Sequence, residues 1–114
     1  MVEHVAFIMY PVTNMERAAG FYENALGLHR GELASPFWIE YEIAGTTFGL
    51  GTFEQVGKPG TANALVLEVG DMNAARARLS EHGFSSTEPH ELPNCFLSMT
   101  QDPDGNSVWL HHRK

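Results

Sequence analysis

The chain has 114 residues, which is enough for one domain with a hydrophobic core. Apolar residues make up 43% of it and charged residues 18%, an ordinary globular composition that excludes a disordered chain. Acidic residues outnumber basic ones by 14 to 7, for a formal charge of −7, so we expect no nucleic-acid partner and no anionic-membrane partner.

The first segment, MVEHVAFIMYP, lacks a basic flank, and Pro11 ends its apolar run early, so we expect no signal peptide. No apolar stretch approaches the roughly 20 residues that a membrane helix needs. Cys95 is the only cysteine, which excludes an intrachain disulfide and fits a reducing compartment. These features predict a cytoplasmic protein.

An internal repeat appears when the two halves of the sequence are aligned. FIMYPVTNMERAA (Phe7 to Ala19) matches ALVLEVGDMNAAR (Ala64 to Arg76). Each stretch has an apolar strand, a helix N-cap (Asn14 or Asp71), a methionine and an alanine-rich helix. Asn14 and Asp71 are suited to the N-cap because a short side-chain oxygen can accept hydrogen bonds from the free N–H groups of the first turn. Each half therefore begins with a strand and a helix.

The ends of both helices are also marked. Apolar residues recur at helical spacing, and they are Met15, Ala18, Tyr22 and Leu26 in the first half and Met72, Ala75 and Leu79 in the second. Gly27 and Gly83 follow at the positions where a left-handed C-cap is expected.

Strands complete each half. PFWIEYEIAGTTFGLGTF alternates around a turn at Ala44–Gly45, and CFLSMTQDPDGNSVWLHH alternates around Asp-Pro-Asp-Gly-Asn. EQVGKPGT, residues 54–61, predicts a linker between module 1 (about 1–53) and module 2 (about 62–114). SSTEPHELPN, residues 85–94, predicts a short strand and a loop that borders a site.

The predicted fold class is α+β, with two tandem βαβββ modules that form curved mixed sheets around an open cavity. One helix covers only one face of a four-stranded sheet, so the other face must be filled by the sister module, a partner chain or a ligand. The open face is therefore the place to look for function.

Three motifs carry a family resemblance: NMERAAGFYENALGL, LEVGDMNAARARLSEHGF and the hairpin DPDGNSVWLHH. Together with the repeat, they resemble the vicinal oxygen chelate superfamily of glyoxalase I, the bleomycin-resistance binding proteins and the extradiol dioxygenases. The resemblance covers essentially the whole chain. It is specific for fold and less so for activity, because this fold hosts metalloenzymes and metal-free binders alike.

The resemblance implies four metal ligands of the His, Gln or Glu type, one from the first and one from the last strand of each half. The repeat register places Phe7, Gly49, Ala64 and Trp109 at those positions, and none is a plausible ligand. His4 lies on the opposite face from Phe7 in a regular strand, unless a bulge near Pro11 reverses the alternation. Because a lone histidine makes a poor divalent-metal site, we expect no metal and no other cofactor.

Strand alternation predicts the residues that line the open face. They are Phe7, Met9, Trp38, Glu40, Glu42 and Thr47 from the first half, and Ala64, Val66, Glu68, Ser98, Thr100, Trp109 and His111 from the second. An apolar, aromatic pocket with few polar groups is typical of a small-molecule site. Trp38 and Trp109 would sandwich a planar ligand, and the carboxylates would favour a cationic or hydrogen-bond-donating one. Packing between the two halves is the competing interpretation for both tryptophans.

Glu68 is the candidate catalytic residue, because Val66 and Leu67 indicate a buried strand in which the pKa of a carboxyl group is raised. Such a group can act as a general base. The competing interpretation is a glutamate paired with an arginine or a histidine. His111 and His112 are typical of a solvated tail, and contact with a polar ligand is the alternative for His111.

Two functions remain open from the sequence. The first is a metal-independent small-molecule binding protein of the glyoxalase/bleomycin-resistance type, which sequesters a planar or cationic ligand and releases it unchanged. The second is a glyoxalase-type lyase, isomerase or dioxygenase that uses a divalent metal held by His4 and a carboxylate, or Glu68 as general base. The resemblance implies a homodimer in either case, with sites between βαβββ units that often come one from each chain.

Overall fold

The computed structural model describes residues 1–114. It consists of two four-stranded mixed sheets, and one face of each sheet is covered by a helix. The first half contains β1 (Ile8–Pro11), α1 (Met15–Ala19, continued by a π-helical segment Gly20–Ala25), β2 (Arg30–Ala34), β3 (Trp38–Ile43) and β4 (Thr46–Gly51). The second half contains β5 (Leu65–Glu68), α2 (Met72–Glu81), β6 (His90–Leu92), β7 (Cys95–Gln101) and β8 (Ser107–Arg113). The prediction of two βαβββ modules is confirmed.

The strand order is the same in both sheets: β1-β4-β3-β2 in the first and β5-β8-β7-β6 in the second. In each sheet the first and last strands of the half run parallel, and the last strand also pairs antiparallel with the strand before it. The parallel register places Met9 opposite Gly49 and Val66 opposite Trp109. Residues directly opposite each other share a face of the sheet, so these pairs identify the face that each residue occupies.

The predicted helix boundaries are confirmed. The side chains of Asn14 and Asp71 each accept a hydrogen bond of 3.0 Å from the backbone N–H three residues on, which is the N-cap arrangement. Gly27 and Gly83 have φ of 76° and 86°, a left-handed conformation that glycine adopts without steric cost. Neither helix is long and apolar enough to cross a membrane.

The hydrophobic core lies between the helices and one face of each sheet, and it is continuous across the two halves. Phe21 and Tyr22 of the π-helical segment are fully buried, and Phe21 packs edge-to-face on Phe84 of the second half. Leu79 of α2 and Leu110 of β8 belong to the same cluster. The two modules therefore share one core and leave the opposite faces of their sheets outside it.

The Asp-Pro-Asp-Gly-Asn turn joins the two halves through buried hydrogen bonds. The Asn106 amide donates to the carbonyl oxygen of Pro11 at 2.7 Å, and its oxygen accepts from the backbone N–H of Gly60 at 2.9 Å. Asp102, which is 4% exposed, accepts from the hydroxyl of Tyr22 at 2.7 Å. This turn is a structural junction, and its position fixes the start of β8.

Candidate functional site

The face of the first sheet that α1 leaves uncovered carries the predicted residues of that half. Its register pairs Glu42 with Thr47 and Glu40 with Gly49 on one side of the sheet, while Tyr41 and Phe48 are buried on the other. The predicted placement is confirmed for Phe7, Met9, Trp38, Glu40, Glu42 and Thr47. Contact with a ligand stays a prediction for all six.

Trp38 lies flat across the centre of this face. A Cβ atom built on Gly49 would lie 2.3 Å from the indole ring, so only glycine leaves room for Trp38 there. The ring centroid lies 5.3 Å from that of Phe7, in an edge-to-face contact, and 6.0 Å from that of Phe53. The indole N–H donates to Glu40 at 3.0 Å. The Trp38 ring therefore covers Gly49, the position where the resemblance implies a metal ligand of the first half, and its packing partners belong to its own half.

The uncovered face of the second sheet carries Trp109 and His111. Val108 and Leu110 are 0% and 1% exposed on the core side, which turns the residues between and after them to the open side. Val66, opposite Trp109, is 48% exposed. Trp38 and Trp109 make no aromatic contact with each other in the chain, so a ligand sandwiched between them stays a prediction.

The predicted open-face placement of Ser98 and Thr100 is wrong. These residues pair with core residues of β8 and are 0% and 4% exposed. Ser98 donates through its hydroxyl to the carbonyl oxygen of Thr87 at 2.7 Å, and Thr100 donates to that of Ser85 at 2.7 Å. They face inward because the irregular segment before β6 needs hydrogen-bond donors for its backbone.

The open face of β7 instead carries apolar residues that the sequence reading missed. Leu97 pairs with His111, and Met99 pairs with Trp109. In the middle of the strand Ser98 and Thr100 point inward and Leu97 and Met99 point outward, the reverse of the usual pattern for a sheet with one face in water. The alternation of apolar and hydroxyl residues along β7 was visible in the sequence, but the prediction assigned the two sets to the wrong faces of the sheet.

The prediction of a buried Glu68 with a raised pKa is wrong. Its side chain is 57% exposed, and its pKa is lowered, first by the backbone N–H of Arg113 at 2.9 Å and then by the hydrogen bond with His111 Nδ1. The competing interpretation, a glutamate paired with a histidine, is confirmed. A carboxylate with a lowered pKa is a weak general base, so the structure does not favour Glu68 in that role.

The two histidines near the C-terminus belong to β8, so their prediction as a solvated tail is wrong. His112 faces the helix side, stacks on Phe96 with a centroid distance of 6.4 Å, and hydrogen-bonds through Nδ1 to the carbonyl oxygen of Val69 at 2.8 Å. His111 faces the open side, where Glu68 is its partner.

The donors of this chain do not fit the metal centre that the resemblance implies. Its four positions hold Phe7, Gly49, Ala64 and Trp109, and Trp38 covers one of them. His4 is exposed in the segment before β1, and no three His, Cys, Asp or Glu side chains are grouped closely enough to hold a metal ion. The absence of a metal cofactor in the working protein stays a prediction, which elemental analysis of protein purified without chelator can test.

An open groove of about 680 Å³ runs from the open face of the second sheet to the edge of β7. Trp109 and Met99 line one side of it, and residues 83–87 line the other. The predicted short strand within residues 85–94 is present as β6, and the loop before it borders this groove. The groove therefore places a flat aromatic surface beside polar loop backbone.

Solved structures with this fold include antibiotic-binding proteins. The chain is 28% identical to TnmS3, an antibiotic binding protein from Streptomyces sp. CB03234, with a TM-score of 0.84 over 99% of this chain and 98% of that one. It is 30% identical to a glyoxalase/bleomycin resistance protein from the same organism, with a TM-score of 0.77 over 91% of this chain and 96% of that one. The fosfomycin resistance protein FosX from Mesorhizobium loti shares the fold at 15% identity, with a TM-score of 0.76 over 100% of this chain and 95% of that one.

Comparison with curated proteins gave no match. The family model of the Glyoxalase/Bleomycin resistance protein/Dioxygenase superfamily matches residues 2–110, nearly the whole chain. The repeated βαβββ sheets have the architecture of that fold, and the sheets are open as expected. The chain therefore belongs to the Glyoxalase/Bleomycin resistance protein/Dioxygenase superfamily.

Proposed function

We propose that this protein is a metal-independent small-molecule binding protein, which sequesters a planar or cationic ligand on the aromatic open faces of its sheets. The observation that carries the proposal is the replacement of metal ligands by aromatic rings. Trp38 lies over Gly49 in the first sheet, and Trp109 stands at the corresponding position of the second. These rings offer stacking surface where a metalloenzyme of the family needs oxygen or nitrogen donors.

The inverted pattern of β7 supports ligand binding on the second sheet. Leu97 and Met99 are only half-buried on the open side, and Val66, on the other side of Trp109, is 48% exposed. A sheet face that is meant for water does not place apolar residues outward and hydroxyl groups inward. Contiguous apolar surface rimmed by polar groups is typical of a binding site.

The charge of the first sheet supports a cationic or hydrogen-bond-donating ligand. Glu40 and Glu42 lie on the same open face, and Glu40 already accepts the indole N–H of Trp38. The formal charge of −7 adds a field that attracts cations. TnmS3, at 28% identity, is an antibiotic binding protein, which supports a small-molecule ligand here.

We also propose a cytoplasmic homodimer in which a second copy helps to cover the open faces. Phe7 and Met9 are 46% and 39% exposed on the open face of the first sheet, and Val66 is 48% exposed on the second. Apolar surface of this kind is stabilised when another chain or a ligand covers it. Sedimentation of the purified protein tests the assembly: a dimer at micromolar concentration is expected, and a monomer would contradict it.

The binding experiment uses two planar probes of opposite charge, proflavine as the cation and 9-anthracenecarboxylate as the anion. Calorimetric titration in excess chelator should show saturable binding of proflavine and weaker binding of the anion. Trp109→Ala should weaken proflavine binding by about tenfold to thirtyfold, the range for loss of an aromatic anchor.

Phe37→Ala is the matched control, because Phe37 is a 65% exposed aromatic residue that precedes β3 and contributes no ring to either tryptophan contact. Its variant should bind proflavine as the natural sequence does. Absence of binding to both probes, or binding that appears only after a divalent metal is added, would contradict the proposed function.

A further inference from the structure

Glu68 and His111 form a polar pair on the open face of the second sheet. They lie opposite each other in the parallel register of β5 and β8, and His111 Nδ1 hydrogen-bonds with Glu68 Oε1. The other carboxylate oxygen, Oε2, accepts the backbone N–H of Arg113 at 2.9 Å. Both oxygens of Glu68 are thus engaged by the strand beside it.

These contacts determine which nitrogen of the His111 ring carries the hydrogen. A carboxylate held by two donors can only accept, so the hydrogen in its bond with His111 belongs to Nδ1. The lowered pKa of Glu68 agrees with an ionised group. In a neutral imidazole with the hydrogen on Nδ1, the second nitrogen, Nε2, is a hydrogen-bond acceptor.

Nε2 of His111 has no hydrogen-bond partner in the chain, since the ring's one hydrogen bond is that of Nδ1 with Glu68. The side chain is 26% exposed, and apart from Glu68 and Arg113 its neighbours on the open face are apolar. Leu97 pairs with His111 directly, and Trp109 lies two residues earlier on the same face. An acceptor that is oriented by a neighbouring carboxylate and bordered by apolar side chains is a recognition group for a hydrogen-bond donor on the ligand.

We propose that His111 is the specificity-determining residue of the open face, accepting a hydrogen bond through Nε2 from the hydroxyl group of a planar phenolic ligand that stacks on Trp109. Glu68 is its positioning residue, since it fixes the tautomer and the ring direction without touching the ligand. This assignment rests on the proposed function and adds the chemical class of the ligand: an aromatic ring system with a hydroxyl donor near its edge.

The test compares 2-naphthol with 2-methoxynaphthalene, which have the same ring system and differ in the donor hydrogen. Calorimetric titrations slightly above neutral pH should show 2-naphthol bound about three to ten times more tightly, the ratio expected for one net hydrogen bond. His111→Phe should abolish this preference while 2-methoxynaphthalene binding is kept. Glu68→Ala should reduce the preference, because the ring loses its orientation.

Glu91→Gln is the matched control, because Glu91 lies in β6, two strands from His111, where its carboxylate pairs with Lys114 and not with His111. The Glu91→Gln variant should prefer 2-naphthol to 2-methoxynaphthalene by the same factor as the natural sequence. Imidazole nitrogen NMR gives an independent readout: an Nδ1–H tautomer is expected for His111 in the natural sequence, with an Nε2 signal that moves on adding 2-naphthol and not 2-methoxynaphthalene.

The outcomes separate the two proposals. Equal binding of both naphthalenes, or a preference that survives His111→Phe, would overturn the role of His111 and leave the proposed function in place. Failure of both naphthalenes and of proflavine to bind would overturn the proposed function and this assignment together. An Nε2–H tautomer of His111 in the free protein would overturn the positioning role of Glu68.

Discussion

The open faces of the two sheets differ although the sheets have the same strand order. The first is covered by its own side chains, with Trp38 lying on Gly49 between Phe7 and Phe53. The second has no such cover: Trp109 faces a groove of about 680 Å³. Both tryptophans are half-buried, but Trp38 packs on aromatic rings of its own half, whereas Trp109 lines the groove.

Under the proposed function, this difference separates a face that stabilises the fold from a face that binds the ligand. The glycine at position 49 lets an indole ring lie against the sheet, and the indole then hydrogen-bonds to Glu40. At the equivalent position the second sheet has Trp109 itself, with Met99 opposite. We therefore expect substitutions on the first face to change stability more, and substitutions on the second to change binding more.

The largest expected change in stability comes from Trp38→Ala. Removing a half-buried indole that packs on two aromatic rings should lower the free energy of unfolding by about 2 to 3 kcal/mol, somewhat below the cost for a fully buried aromatic residue. Urea denaturation measures it. Phe37→Ala, at a 65% exposed neighbour, should change it by less than about 1 kcal/mol. Equal effects of the two variants would show that Trp38 is not packed as described.

Gly49→Ala tests the same contact from the other side. The new methyl group would lie 2.3 Å from the indole, so Trp38 must move, at a cost of about 1 to 3 kcal/mol. In the Trp38→Ala background, Gly49→Ala should cost much less, because the clash is gone. Gly70→Ala, where a methyl group meets no atom within 4 Å, is the control for loss of glycine itself. Additive effects in the double variant would contradict the stacking of Trp38 on Gly49.

Trp109→Ala should reduce stability less than Trp38→Ala does and reduce ligand binding more. We expect it to lower the free energy of unfolding by about 1 kcal/mol, less than Trp38→Ala does, since its ring lies beside a groove. Its loss of proflavine binding should exceed that of Trp38→Ala. A Trp109→Ala protein that is strongly destabilised but binds proflavine normally would reverse the comparison.

The smallest expected effect concerns Glu68. Because its pKa is lowered in the folded protein, ionised Glu68 stabilises the fold above the ordinary pKa of 4.5, and this contribution is lost as the pH falls through the lowered value. The difference in stability between the natural sequence and Glu68→Gln should therefore shrink under acid conditions. Carbon NMR of the carboxyl group measures the midpoint directly, and a midpoint at or above 4.5 would contradict the pairing with His111 and Arg113.

Local features of the fold could be predicted from the sequence because their causes are local. Asn14 and Asp71 cap helices whose first turn is adjacent in the chain, and Gly27 and Gly83 adopt φ values that other residues avoid. The repeat then placed both halves in register, which identified the positions of the missing metal ligands. The family model over residues 2–110 agrees with the predicted fold, and the placement of the ligand positions stays a prediction.

The candidate site was predicted less well because its determinants are tertiary. Ser98 and Thr100 face inward to serve carbonyl groups of residues 85 and 87, a need that no local pattern reveals. Glu68 lies at the exposed end of β5, where a backbone N–H from β8 lowers its pKa. The stacking of Trp38 on Gly49 joins two strands, and the glycine was read only as a missing ligand.

The most direct test of the account is to map proflavine onto the isotopically labelled protein by NMR in excess chelator. Ligand-induced shifts should concentrate on the open faces, with the indole N–H of Trp109 and the signals of Leu97 and Met99 moving most. Shifts confined to the helix-covered side, or no binding until a divalent metal is supplied, would contradict a metal-independent aromatic site on the open faces.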